Sequence, residues 1–153
     1  VLAALLALLA PWRRVLAQPV LNPAPGTDAR MLNTPEGTLR TILGDAPMRK
    51  GRVHLGLPRV AENGHSVGLT VRVDSPMSGA DHVRRIDLVS DRNPVPLVAT
   101  YFLGPEAGRA EIETRVRLNG SQRMTAVAQL SDNSYWFDAV DVVVNELACL
   151  DGG

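Results

Sequence analysis

Beyond Gly51 hydrophobic and polar residues alternate with a period of two, the pattern of strands that bury one face. Val53, Leu55 and Leu57 alternate with Arg52, His54 and Gly56, and Val67, Leu69, Val71 and Val73 alternate with Thr70, Arg72 and Asp74. Ile86 and Leu88 mark another run, and Leu97 to Leu103 the next. Ala110, Ile112, Thr114, Val116 and Leu118 share one side, with Arg109, Glu111, Glu113, Arg115 and Arg117 on the other. Met124, Ala126, Ala128 and Leu130 follow, then Trp136, then Val140, Val142 and Val144. Turn-forming groups separate the runs at Glu62-Asn63-Gly64, Ser75-Pro76, Asp91-Arg92-Asn93-Pro94, Gly104-Pro105, Asn119-Gly120 and Asp132-Asn133-Ser134. Seven or eight short strands at this spacing predict an all-β, immunoglobulin-like antiparallel β-sandwich.

Upstream the period changes. Thr34 is a cap residue, Pro35 suits the first helical position, and Leu39, Ile42 and Leu43 share a face before Gly44 ends the run. A short N-terminal helix covering one edge of the sandwich is expected. Residues 18–33 hold three prolines and a glycine and are expected to form an extended linker. Val1 to Ala10 are all apolar, which is too short for a bilayer span of about 20 residues and fits the apolar core of a secretion signal. Val15-Leu16-Ala17 offers small residues for cleavage before Gln18, so residues 1–17 are expected to be a truncated signal peptide. Arg13-Arg14 follows the apolar run instead of preceding it, unlike a twin-arginine signal. The other reading of the run is a buried N-terminal helix. The expected division is therefore a signal at 1–17, a linker at 18–33, a sandwich at 34–145 and a C-terminal tail at 146–153.

Composition narrows the function classes. Sixteen Lys and Arg balance sixteen Asp and Glu, and no basic strip with interleaved aromatics points to nucleic acid. No glycine-rich phosphate loop or paired metal-binding cysteines occur. His54, His65 and His82 are widely separated, without ligand spacing. Leu57-Pro58-Arg59-Val60-Ala61-Glu62-Asn63-Gly64 is locally distinctive and is expected to be a structural connection. Met77 fits either core filling or an exposed contact.

Cys149 is the only cysteine, in Ala148-Cys149-Leu150-Asp151-Gly152-Gly153. Exported proteins usually pair their cysteines or lack them. A lone thiol there is a covalent attachment point presented to other proteins, one half of an intermolecular disulfide, or an incidental terminal group. It lies four residues past Asn145, a reach of at most about 14 Å. A cysteine on such a tail lacks the rigid support that a Cys-His hydrolase needs. Glu146 and Asp151 flank it and disfavour the thiolate, so activation is expected from a partner.

The segment Leu57 to Gly64 is the first of an ordered series. It is followed by Val73-Asp74-Ser75-Pro76-Met77, Asp81-His82-Val83, Asn93-Pro94-Val95-Pro96 and Thr114-Arg115-Val116-Arg117-Leu118. Ser121-Gln122, Ala126-Val127-Ala128 and Ser131-Asp132 complete the series. In that order and spacing the chain resembles the SoxY family, the cysteine-bearing subunit of the SoxYZ sulfur carrier in bacterial thiosulfate oxidation, over residues 34 to 149. The resemblance implies an immunoglobulin-like sandwich, a periplasmic location and a heterodimer with a SoxZ-like subunit. It implies a carrier and not an enzyme, with no cofactor beyond the sulfur species held covalently on Cys149. A c-type cytochrome would join thiosulfate to the thiol. A sulfate-releasing hydrolase and a sulfane dehydrogenase would then act on the adduct.

The tail departs from the family's usual Gly-Gly-Cys-Gly-Gly. Leu147-Ala148 precede the cysteine here, and Leu150-Asp151 intervene before the glycines. Glycines make an arm thin and mobile. Leu147 and Leu150 add bulk, and each acidic residue within about 4 Å of an anionic cargo costs roughly 1 kcal/mol in water. Two other function classes are compatible with the residues alone: a non-catalytic interaction module, and a periplasmic metal-binding domain using His and Met.

Overall fold

A computed structural model describes residues 33–146. The expected signal, most of the linker and the cysteine-bearing tail lie outside the described residues. Helix α1 (Pro35–Leu43) begins as its sequence predicts. The Thr34 hydroxyl accepts from the Gly37 N–H at 3.1 Å, and Pro35 occupies the first turn. Gly44, at φ +60°, donates its N–H to the Arg40 carbonyl and ends the helix. Leu39, Ile42 and Leu43 are only half-buried, and the residue the helix buries fully is Thr38. Among the described residues no helix is long and apolar enough to cross a membrane.

Nine strands follow among the described residues: β1 (Met48–Lys50), β2 (Val53–Gly56), β3 (Val60–Asn63), β4 (Val67–Val73), β5 (Val83–Ser90), β6 (Leu97–Phe102), β7 (Ala110–Val116), β8 (Gln122–Leu130) and β9 (Tyr135–Glu146). They make two sheets. One has the order β1-β9-β8-β5-β6, with β3 also pairing β9, and the other has the order β2-β4-β7. The sandwich is the predicted one. Two short pairings within it are parallel: β1 lies against Tyr135–Phe137 and β3 against the far half of β9. The chain leaves the larger sheet after β1, enters the smaller one as β2, returns as β3 and crosses again to β4. That repeated switching sets β1 and β3 parallel to a strand far away in sequence.

The core lies between the sheets. β4 alternates strictly, so Val67, Leu69, Val71 and Val73 are buried while Gly68, Thr70 and Arg72 face solvent. Opposite them Ile86, Leu88, Met124, Ala126, Ala128 and Leu130 are almost sealed from water. Each large aliphatic side chain so buried contributes about 1.5–3 kcal/mol before chain entropy is counted. No disulfide is needed for this core. Met77 resolves as core: it is buried and its Sδ accepts from the Val83 N–H at 3.4 Å, although its φ of +49° is unusual for a residue with a side chain.

Strand β2 ends at Gly56, one residue before the predicted alternation, because Pro58 cannot extend a ladder. The predicted connection Leu57–Gly64 contains β3, whose Ala61 is buried and whose Val60 is exposed. Trp136 and Val140–Val144, separate runs in the sequence, belong to one 12-residue strand.

Candidate functional site

Strand β9 is the described element that leads toward Cys149 in the sequence. Its 12 residues span roughly 37 Å at about 3.4 Å per residue. Its last described residue, Glu146, lies in register with Asn63 of β3. Cys149 is outside the described residues. Three residues of chain reach at most about 11 Å, which bounds the distance of the thiol from that strand end.

The last turns of β9 are held from both sides. The Val143 N–H donates to the Arg59 carbonyl at 2.9 Å. The Val144 N–H donates to the Ser121 hydroxyl at 2.9 Å, and that hydroxyl lies 3.4 Å from the Val144 carbonyl. Val142 and Val144 point into the core, while Val143 stands outward beside Val60.

Beneath this end lies a buried polar network. Gln122 Oε1 accepts from the Ser90 hydroxyl and from the Arg92 N–H, the latter at 3.2 Å. Its amide nitrogen donates to Asn93 Oδ1 and to the Gly120 carbonyl, each at 3.2 Å. Asn93 in turn accepts from the Asn119 N–H at 2.9 Å and donates to the Arg117 carbonyl at 2.8 Å. The Leu118 N–H donates to the Gly64 carbonyl at 2.8 Å. Every donor so paired avoids a desolvation cost of about 1–3 kcal/mol. The network locks the β5–β6 turn to the β7–β8 turn at the end where β9 hands over to the tail.

Segments scattered through the sequence are thereby brought together. Leu57–Gly64, Asn93, Leu118, Ser121 and Gln122 meet at the tail end of the sandwich. Asp81, His82, Ser131 and Asp132 gather at the other end, where the Ser131 N–H donates to the His82 carbonyl at 2.8 Å and its hydroxyl to the Ala80 carbonyl at 3.0 Å. There Arg49 and Arg52 also stack on the Trp136 ring, 6.0 and 5.6 Å from its centroid. The sequence alone assigns Asn93, Ser121 and Gln122 no task. Their polar character between hydrophobic runs was the available signal.

The histidines do not converge. His54 Nε2 lies 2.6 Å from Asp74 Oδ2 on the outer face of the small sheet, and that hydrogen bond holds the Asp74 carboxyl below the usual aspartate range. His82 Nδ1 contacts the Ser78 carbonyl at 3.1 Å. Among the described residues no three His, Cys, Asp or Glu side chains come together as a metal site.

On the outer face of the large sheet Asp87 is buried. Its pKa is raised by that burial, and the Thr100 hydroxyl donating at 2.7 Å and the neighbouring Arg85 offset part of the rise. Arg85 Nε lies 2.8 Å from Asp87 Oδ2 at an angle too poor for a hydrogen bond, so that contact is electrostatic. Its guanidinium also donates to the Ile42 carbonyl at 3.3 Å, anchoring the C-terminal end of α1 to β5.

Comparison with known proteins adds three findings. The profile of a family described as sulfur oxidation protein SoxY matches residues 39–149. No curated protein matches the chain by sequence. Among solved structures, the sulfur carrier protein SoxY from Chlorobium limicola f. thiosulfatophilum superposes with a TM-score of 0.59 at 23% identity, covering 70% of this chain and 92% of that one. A superoxide reductase (neelaredoxin) variant from Ignicoccus hospitalis superposes with a TM-score of 0.54 at 17% identity, covering 61% and 79%. At these identities the superpositions establish a shared sandwich.

Proposed function

The chain belongs to the SoxY family, and on that premise we propose that it is a periplasmic sulfur carrier that holds sulfur-oxidation intermediates on Cys149. The observation that carries this reading is the extent of the family match, which runs through the sandwich and ends on the chain's only cysteine. The geometry supports it in one further respect: the strand leading to that cysteine is fixed to the body up to Glu146 by β3, β8 and the Ser121 hydroxyl.

The chemistry follows from the thiol. Joining a thiolate to thiosulfate forms an S–S bond and releases two electrons, which a c-type cytochrome accepts. Hydrolysis of the terminal S–S bond of that adduct releases sulfate and leaves a persulfide on the carrier. A sulfane dehydrogenase accepts the electrons as the outer sulfur of that persulfide is oxidised, with oxygen from water, to an S-sulfonate, and a second hydrolysis releases that group as sulfate and regenerates the thiol. The carrier's own tasks are to hold the adduct and to present it, with a SoxZ-like subunit completing the complex. Acidic residues on both sides of Cys149 leave activation of the thiol to the partner enzyme.

Intact-mass analysis of the protein from cells growing on reduced sulfur tests the proposal. Sulfur adducts that vanish in Cys149→Ser are expected. Protein that carries no adduct, or carries it equally in Cys149→Ser, overturns the reading.

A further inference from the structure

The geometry points to Asn63 as a site of spontaneous deamidation, a modification that resets how far along β9 the chain toward Cys149 is held. Two Asn-Gly pairs occur in the sequence, Asn63-Gly64 and Asn119-Gly120. A glycine in second place leaves its main-chain nitrogen unshielded by a Cβ, so that nitrogen can reach the asparagine side chain. The fold treats the two pairs differently.

Asn63 is exposed and is the last residue of β3. It lines a surface groove with Pro58, Glu62 and Ser66, which gives water access. Its Oδ1 accepts from the His65 N–H at 3.2 Å, a bond that curls the side chain back over the Gly64 peptide. The same N–H stabilises the negative charge that this oxygen gains when Cγ is attacked. The Gly64 carbonyl, in the same peptide unit as that N–H, accepts from the Leu118 N–H at 2.8 Å, so the donor is fixed in place. The attacking nitrogen is not tied into the ladder. The Val143 N–H donates to the Arg59 carbonyl, so by alternation Arg59, Ala61 and Asn63 aim their main-chain groups at β9. The Gly64 N–H, across a trans peptide from the Asn63 carbonyl, points the other way.

Asn119 is half-buried, and its N–H donates to Asn93 Oδ1 at 2.9 Å. Gly120 is buried at φ +81°, and its carbonyl accepts from Gln122 Nε2 at 3.2 Å. Ring closure there must first break the polar network between the two turns.

The chemistry needs only water. The Gly64 nitrogen bonds to Asn63 Cγ, its proton leaves with the side-chain amide as ammonia, and a succinimide forms. Water then opens the ring at either carbonyl, giving aspartate or isoaspartate. Isoaspartate routes the main chain through Cβ and so adds a methylene to β3 at the Asn63–Glu146 rung, the last one described between β3 and β9. That rung is lost, while Ala61 and the Ser121 hydroxyl still hold Val144. Five residues then separate the held strand from Cys149, and the bound on its reach rises from about 11 Å to about 18 Å.

Incubation of the full chain near neutral pH tests this, with peptide mapping by mass spectrometry and fragmentation that separates isoaspartate from aspartate. In the folded chain Asn63 should convert at least about ten times as fast as Asn119, a barrier difference of roughly 1.4 kcal/mol. In urea the two rates should converge. Hydrogen exchange on the aged protein should show protection lost at the ends of β3 and β9 and kept in β4. Asn63→Gln, whose longer side chain closes a ring far more slowly, should keep both through the same incubation. Asn63 that stays intact in the folded chain, or converts no faster than Asn119, overturns the assignment. Isoaspartate at Asn63 with unchanged exchange at the end of β9 overturns the link to the tail.

Discussion

Val60 and Val143 stand side by side across the parallel β3–β9 ladder, and both are more than half exposed, at 58% and 51%. Val144, the next residue, pairs with Ala61 and is 7% exposed. Adjacent valines on one strand thus have opposite environments. Val143→Ser should change stability by no more than about 0.5 kcal/mol. Val144→Ala should cost about 1–3 kcal/mol through two lost buried methyl groups and the space they leave. Urea denaturation of the two variants side by side checks the contrast.

The Ser121 hydroxyl is the side-chain partner of the Val144 N–H. Ser121→Ala should remove about 1 kcal/mol of local stability and speed amide exchange at Val144 roughly fivefold. Amides in β4, held by β2 and β7, should keep their protection in the same hydrogen-exchange experiment.

Gln122 joins two turns through four contacts. Gln122→Leu fills the space but leaves the Ser90 hydroxyl and the Arg92 N–H without that acceptor. A loss of about 1–3 kcal/mol is expected, together with faster backbone dynamics at Arg92 and Asn93 by NMR relaxation.

Asp87 titrates above the ordinary aspartate value of 3.8 because the fold buries it. The folded chain therefore holds that proton more tightly than the unfolded chain does. This group's contribution to stability is greatest below 3.8 and declines as pH rises through its raised folded value. Asp87→Asn should abolish that part of the pH slope. Thr100→Val should raise the Asp87 pKa further by removing its hydroxyl donor. Carboxyl-carbon NMR titration reads both. Asp141 and Asp74 have the opposite sign: hydrogen bonds from Arg123 and His54 lower their pKa values, so their contributions are lost as pH falls through those lowered values.

What could be read from the sequence depended on whether the cause was local. β4 was legible because all its inward positions are aliphatic and its outward ones are not. The cap of α1 was legible because Thr34, Pro35 and Gly44 act within a few residues. β1 escaped notice because Met48-Arg49-Lys50 is short and polar and exists only through pairing with Trp136 and its neighbours. β9 looked like two runs because residues from Tyr135 to Val140 are all half-buried and do not alternate. Asp138 in its middle appears unsuited to a strand until its carboxylate is seen accepting the Leu55 N–H of the opposite sheet at 3.0 Å. The cysteine stood out because it has no counterpart in the chain. The polar network under the strand end did not, because Ser90, Asn93 and Gln122 come from separate turns.

The length and pairing of β9 also have a mechanical meaning. A tug on the chain beyond Glu146 acts along the strand's own axis, so the rungs to β8 and β3 are loaded together in shear instead of being unzipped one at a time. A body built this way resists deformation when the chain beyond Glu146 is pulled, and the load is spread over the sheet.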